Sequence, residues 1–249
     1  MADAHPVPVA ERGHPARRLV IAIDGPSGSG KSTVARAVAG RLRLRYLDSG
    51  AMYRAVTWLA LQDRIDLEDA ETLAGLAAKI DLRIGTDPAH PTVTVAETDV
   101  ASAIRTRAVT NAVSVVSSVP GVRLHLVRRQ REIIGAGGIV VEGRDIGQVV
   151  VPDAQLKIFL TATSETRAER RTRDLTEVSG PVDRASELAQ TRAEIERRDR
   201  LDTTRVTSPL VRADEALVID STALTVDEVV ALIVAQIPGR LPAGRGADR

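Results

Sequence analysis

Three observations predict an α/β fold, a five-stranded parallel sheet flanked by helices. Five short apolar runs are continuous rather than alternating, which marks strands buried on both faces. Helical patterns separate most of them, the βαβ succession that builds a parallel sheet. A glycine-rich loop joins the first run to the first helix, at the edge where an open parallel sheet forms its ligand crevice.

The predicted strands are residues 19–23, 45–47, 138–141, 156–160 and 217–219. The first helix begins near Lys31, where Val34, Val38 and Leu42 recur every fourth residue as one apolar stripe. A second helix is predicted over about 51–62, with Met52, Val56 and Leu59 on one side, and a third over about 68–80. Over 81–99 the pattern changes to two short alternating segments, Leu82-Arg83-Ile84 and Thr92-Val93-Thr94-Val95, with Pro88 and Pro91 between them. This reads as a hairpin inserted into the α/β domain. Helical periodicity resumes near 105 and runs to about 134, interrupted at Pro120-Gly121, and the insert with these helices reads as a subdomain able to move against the sheet. The last helix opens on Thr225-Val226-Asp227-Glu228, a capping box.

Composition narrows the function. Apolar residues make up 43% of 249, enough for a sizeable core, but aromatics are only 2%, too few for the base-stacking platforms of single-strand nucleic-acid binders. The net charge of +1 supplies no global pull toward nucleic acid or membrane, and neither is expected as a partner. With no cysteine there is no disulfide, thiolate nucleophile or cysteine-rich zinc site. No apolar run approaches the ~20 residues that cross a bilayer. The first residues mix prolines, histidines and acids without an apolar segment, so a soluble cytoplasmic protein is expected. Its expected organisation is a disordered leader (1–17), one domain (18–237) and a disordered tail (238–249).

The loop carries the most specific chemistry. Gly25-Pro26-Ser27-Gly28-Ser29-Gly30-Lys31-Ser32 fits G-x-x-x-x-G-K-[ST] at every fixed position, after a predicted strand and before a predicted helix. Such a loop turns several backbone N–H groups toward one anion, and the N-terminus of the helix, here through Thr33, adds its unpaired donors. Lys31 brings a point charge to the terminal phosphates, and the Ser32 hydroxyl is a ligand for Mg²⁺. ATP with Mg²⁺ is the expected bound pair.

The arginines come next, because a planar, permanently charged fork suits phosphate. Arg54 follows the second predicted strand and Arg144 the third, both on the sheet edge that carries the loop, so Lys31, Arg54 and Arg144 are expected to converge. Arg167, Arg170 and Arg171 follow the fourth strand, and Arg197, Arg198, Arg200 and Arg205 lie in a further helical stretch. The bland reading of such runs is a solvated face with i,i+4 ion pairs, for which Arg192–Glu196 and Glu194–Arg198 qualify. The third strand ends in Glu142 rather than the aspartate usual beside a phosphate loop. His90 and His125 have no neighbour at metal-ligand spacing and read as structural or solvent-facing.

Four ordered motifs together resemble bacterial cytidylate kinase, a nucleoside monophosphate kinase family of the P-loop NTPases. They are Ile23 to Ser32, Leu47-Asp48-Ser49-Gly50-Ala51-Met52-Tyr53-Arg54, Glu142-Gly143-Arg144-Asp145-Ile146-Gly147, and Arg198-Asp199-Arg200-Leu201-Asp202-Thr203-Thr204-Arg205 with Pro209-Leu210. The resemblance spans roughly residues 18–237. It implies a P-loop core, a monophosphate-binding insert at about 81–105 and a short lid at about 171–184. It implies transfer of the γ-phosphoryl of ATP to CMP or dCMP, by a monomer. It places Ser49, Arg54 and Arg144 at the acceptor phosphate and Ser114, Arg123 and Asp145 at the cytosine edge. Arg198 and Asp202 fall at the ribose, and Arg205 at a further phosphate contact, while Leu201 stands where the family often has a charged residue and is assigned no role. Lys31, Arg144 and a lid arginine, Arg167 or Arg171, are the expected catalytic groups. Another small-molecule kinase on the same fold, such as a uridylate, adenylate or shikimate kinase, is one alternative. A nucleotide-switch protein is another, although the chain lacks an Asn-Lys-x-Asp guanine-reading motif.

Overall fold

The computed structural model describes residues 18–179 and 184–237. Each of the five predicted strands forms: β1 (Val20–Asp24), β2 (Arg45–Asp48), β6 (Ile139–Gly143), β7 (Leu156–Thr161) and β8 (Leu217–Asp220). They build one sheet in the order β2-β6-β1-β7-β8, with every pairing parallel. β1 is central, and Ile21 pairs with Val140 on one side and Leu156 on the other.

Strand alternation divides the apolar residues between two cores, which is why the runs are continuous in sequence. Ile21 and Ile23 point to one face, where α1 (Lys31–Leu42) and α8 (Val226–Ala235) cover them through Val34, Val38, Val229 and Ile233. Val20 and Ala22 point to the other face, covered by α2 (Ser49–Gln62), α4 (Arg107–Ser118) and α5 (Pro120–Ile134). Burying side chains of this size contributes roughly 1.5–3 kcal/mol each before the entropy of ordering them is set against it.

Helix boundaries follow local chemistry. Asp48 caps α2 by accepting the Ala51 N–H at 2.9 Å. Asp69 caps α3 (Ala70–Lys79) through the Thr72 N–H at 3.0 Å. The Thr225–Glu228 capping box of α8 is present in both directions. Pro120 ends the α4 run and starts α5 as its first residue, where a missing N–H costs nothing. Gly121 lets α5 approach α3, since a Cβ there would meet the Ala74 Cβ at 2.5 Å.

The insert departs from the predicted hairpin. β3 (Leu82–Ile84) and β4 (Val93–Val95) are joined by a third strand, β5 (Thr98–Asp99), in an antiparallel sheet. The turn between β4 and β5 puts Ala96 at φ 46° and Glu97 at φ 67°. A two-residue turn with both centres left-handed normally advertises itself with Asn or Gly, and Ala-Glu gives no such signal. The insert shares its core with the sheet: Leu82, Val93 and Val95 pack in one cluster with Met52, Val56, Leu47 and Val141. α6 (Ser164–Ser179) and α7 (Arg184–Thr204) follow β7. The centre of the predicted lid, 180–183, the leader 1–17 and the tail 238–249 lie outside the described residues. Among the described residues no helix is long and apolar enough to cross a membrane.

Candidate active site

The loop after β1 is shaped by what lies against it. A Cβ on Gly25 would stand 2.0 Å from the Leu160 carbonyl oxygen, and one on Gly28 (φ +77°) would stand 2.7 Å from the Arg167 carbonyl oxygen. Only glycine fits either position. Outside groups pin the loop: Arg167 donates to the Ser27 carbonyl at 3.0 Å, Arg198 to the Ser27 hydroxyl at 3.2 Å, and the Ser221 hydroxyl to the Ser29 carbonyl at 3.2 Å. The Lys31 ammonium reaches back over the loop to the Pro26 carbonyl at 2.7 Å. The first intrahelical bond of α1 runs from the Val34 N–H to Gly30 at 3.0 Å, so the amides of the preceding turn have no intrahelical acceptor.

The loop lines a cavity of about 470 Å³ through Ser27 to Thr33. The same cavity is lined by Ser49 and Arg54 of α2, Ser114 of α4, Arg123 of α5, and Arg144 and Asp145 just past β6. Arg198 and Asp202 of α7, Arg205 just after it, and Arg171 of α6 also line it. Lys31, Arg54 and Arg144 thus share one cavity.

The polar groups form three sets. Asp202 accepts from Arg144 Nε at 3.0 Å and from the Ser114 hydroxyl at 3.3 Å. Burial alone would raise its pKa, but the Arg144 and Arg198 guanidiniums outweigh that and hold it low. Asp145 is ion-paired with Arg123, both almost fully buried, and the Arg123 guanidinium lies over the Tyr53 ring at 5.3 Å. Arg54 donates to Thr110 Oγ1 at 2.9 Å, and Arg171 reaches the same oxygen at 3.5 Å.

Nine arginines and one lysine line the cavity against four carboxylates. A nearly neutral chain has therefore gathered a local excess of positive charge, which fits two polyanionic ligands held together. The crowding disfavours the charged forms of the buried cations. Burial, then the Arg144 charge, pushes Lys31 well below the usual ammonium range. Burial and neighbouring guanidiniums lower Arg54 and Arg198 as well.

Beneath the loop, Glu142 is buried and accepts from the Ser32 hydroxyl at 3.0 Å and from the Tyr46 hydroxyl. Burial, with Asp48 nearby, raises its pKa. A hydroxyl and a carboxylate oxygen at this spacing are hard donors suited to Mg²⁺. Among the described residues no group of three or more His, Asp or Glu could hold a metal ion.

Several expectations need correction. Arg167, expected to close over the transferred group, does not line the cavity: it lies behind the loop, bonded to the Ser27 carbonyl and ion-paired with Asp199. The loop residues Gly25 and Pro26 also stand outside the lining and act through their carbonyls, which accept from Arg144 at 3.0 Å and from Lys31. Arg192–Glu196 pairs at 3.1 Å on the surface. Glu194 instead pairs with Arg107 at 3.1 Å, while Arg198 is buried against the loop. Sequence reasoning named Arg170 without giving it a role and missed Arg105 and Arg173, all three of which line the cavity, and it missed the apolar patch of Leu224, Val226 and Val229 in the same lining. The capping box located α8, but no local signal tells which helix end faces a cavity.

A strand, an anion-binding glycine loop with its lysine over a buried carboxylate, and a facing wall of arginines define a kinase of the P-loop class acting on a small phosphorylated acceptor. The chain belongs to the cytidylate kinase family: the family model described as "Cytidylate kinase" matches residues 21–239. It is 50% identical over 224 residues to the cytidylate kinase of Streptomyces griseus, covering 89% of this chain and 94% of that protein. To the cytidylate kinase of Rhodococcus jostii it is 48% identical over 230 residues, covering 92% and 98%. A bifunctional pantoate ligase/cytidylate kinase of Synechococcus is 53% identical over 223 residues, which are 88% of this chain and 40% of that longer protein.

Proposed function

We propose that this chain transfers the γ-phosphoryl group of ATP to CMP or dCMP, giving ADP and the corresponding diphosphate. One observation carries the reading: a single cavity is lined both by the phosphate loop and by the Asp145–Arg123 pair, with Arg54, Arg144 and Arg171 in the same lining. The donor's phosphates lie in the loop against Lys31, and its base lies on the apolar patch of α8. The acceptor's phosphate meets Arg54 and Arg144, its ribose meets Asp202 and Arg198, with Arg205 and Ser49 close by. The carboxylate of Asp145 accepts from the exocyclic amine of cytosine, which uracil lacks. Ser114 and Arg123 complete that end.

The chemistry is in-line displacement without a covalent intermediate, so the protein acts by positioning and by stabilising charge. Ser32 and Glu142 are the residues that would hold Mg²⁺, which when bound neutralises charge on the donor's terminal phosphates. Arg171 takes the role of the arginine over the moving phosphoryl, since Arg167 is occupied behind the loop.

A steady-state assay of ADP release with an acceptor panel tests the reading. CMP and dCMP are expected to drive ADP production far faster than UMP, AMP or shikimate. A preference for any of those three, or GTP binding with no acceptor-dependent turnover, overturns it.

A further inference from the structure

We infer that Asp24 is a positioning residue that fixes the acceptor-binding loop, with Arg144 and Asp145, in register with the phosphate loop. This rests on the acceptor site proposed above. Asp24 is the last residue of β1, bonded within the sheet between Gly143 of β6 and Phe159 of β7. The residue is 4% exposed and lies outside the cavity lining. One oxygen accepts the Ile146 N–H at 2.9 Å and the other the Gly147 N–H at 2.8 Å.

These amides open a π-helical turn, Ile146–Val150, immediately after Asp145. They are the unpaired donors that every helical start leaves, and here a carboxylate from the neighbouring strand satisfies two of them at once. A third bond returns the other way, from Arg144 to the Gly25 carbonyl at 3.0 Å. Two consecutive residues of β1 and its loop are thus laced to Arg144, Ile146 and Gly147, and Asp145 is held between the laced positions.

The arrangement carries a cost that points to a purpose. Burial raises the Asp24 carboxyl to about 6 even though both amides pull it down, and Asp145 nearby adds to the rise while Lys31 opposes it. An apolar residue would avoid that cost but would leave two buried N–H groups unmatched. Displacements of about 1 Å in such a site lower turnover by about a hundredfold, so two strong bonds at the root of the acceptor loop bear on efficiency.

Asp24→Asn tests this, because it keeps the shape while offering one acceptor and setting an NH₂ against the other amide. The wild-type protein is first shown to use CMP, which separates failure of this inference from failure of the functional reading. In D24N, KM for CMP is expected to rise by about tenfold or more and the preference for CMP over UMP to narrow. ATP affinity by calorimetry is expected to stay within about twofold, because the phosphate loop keeps its other anchors. A merely structural residue would change stability or the active fraction and leave both KM values alone; that result, or equal losses for ATP and CMP, overturns the inference. Hydrogen exchange on the wild type needs no variant: the Ile146 and Gly147 amides are expected to be strongly protected without ligand, and fast exchange there overturns it too.

Discussion

Lys31→Met is expected to leave a folded protein whose phosphoryl transfer is reduced by about 10³-fold or more, a loss of about 4 kcal/mol in transition-state stabilisation. Among the described residues the ammonium is the one lysine charge in the cavity lining, and it is held over the loop by the Pro26 carbonyl. Methionine keeps the length and the apolar stem, so packing under the loop survives. The stability change is expected to have the opposite sign. Without a ligand, burial and Arg144 disfavour the Lys31 charge and lower its pKa. The unfolded chain then binds that proton more tightly than the folded one, so the lysine makes wild-type stability rise with pH from the depressed pKa up to the ordinary value of about 10.4. K31M lacks this rise and is expected to be no less stable than wild type at neutral pH. Turnover and thermal melting across pH check both halves, and near-normal turnover would remove the loop from the mechanism.

Changing Asp145 is expected to alter which base is used. The carboxylate is buried and ion-paired with Arg123. Asp145→Ala would strand the Arg123 guanidinium, at a cost of about 3–5 kcal/mol in stability, so Asp145→Asn is the cleaner substitution. A site that pairs a polar group of its ligand rejects an analogue without that group by about 10⁴–10⁵. In D145N, kcat/KM for CMP is expected to fall by about 10³-fold. UMP, whose carbonyl can accept from the new amide, is expected to lose less than about tenfold. The ratio of the two efficiencies is the quantity to measure. An equal fall for both nucleotides would assign Asp145 to the phosphate end or to the fold.

Most of the architecture was legible because its signals are local. Continuous apolar runs located all five strands of the main sheet, and Thr225 with Glu228 marked the start of α8. The loop was legible as a motif because its glycines answer to contacts that only glycine tolerates, at Leu160 and Arg167. What stayed hidden depends on partners far away in the chain. Arg198 looks like half of an i,i+4 surface pair, yet it packs on Ser27, 171 residues distant. Arg167 looks like a lid arginine and is instead the brace behind the loop. Asp24 was read only as part of a motif, because its bonds to Ile146 and Gly147 cross between adjacent strands. β5 went unseen because Ala96 and Glu97 adopt left-handed conformations that their identities do not announce.

The central claim is that donor and acceptor lie end to end in one cavity. Binding of a compound that joins adenosine and cytidine through five phosphates tests it most directly. It is expected to bind once per chain, with Mg²⁺ present, and to compete with both ATP and CMP. Competition with only one of them, or two molecules bound per chain, would contradict it.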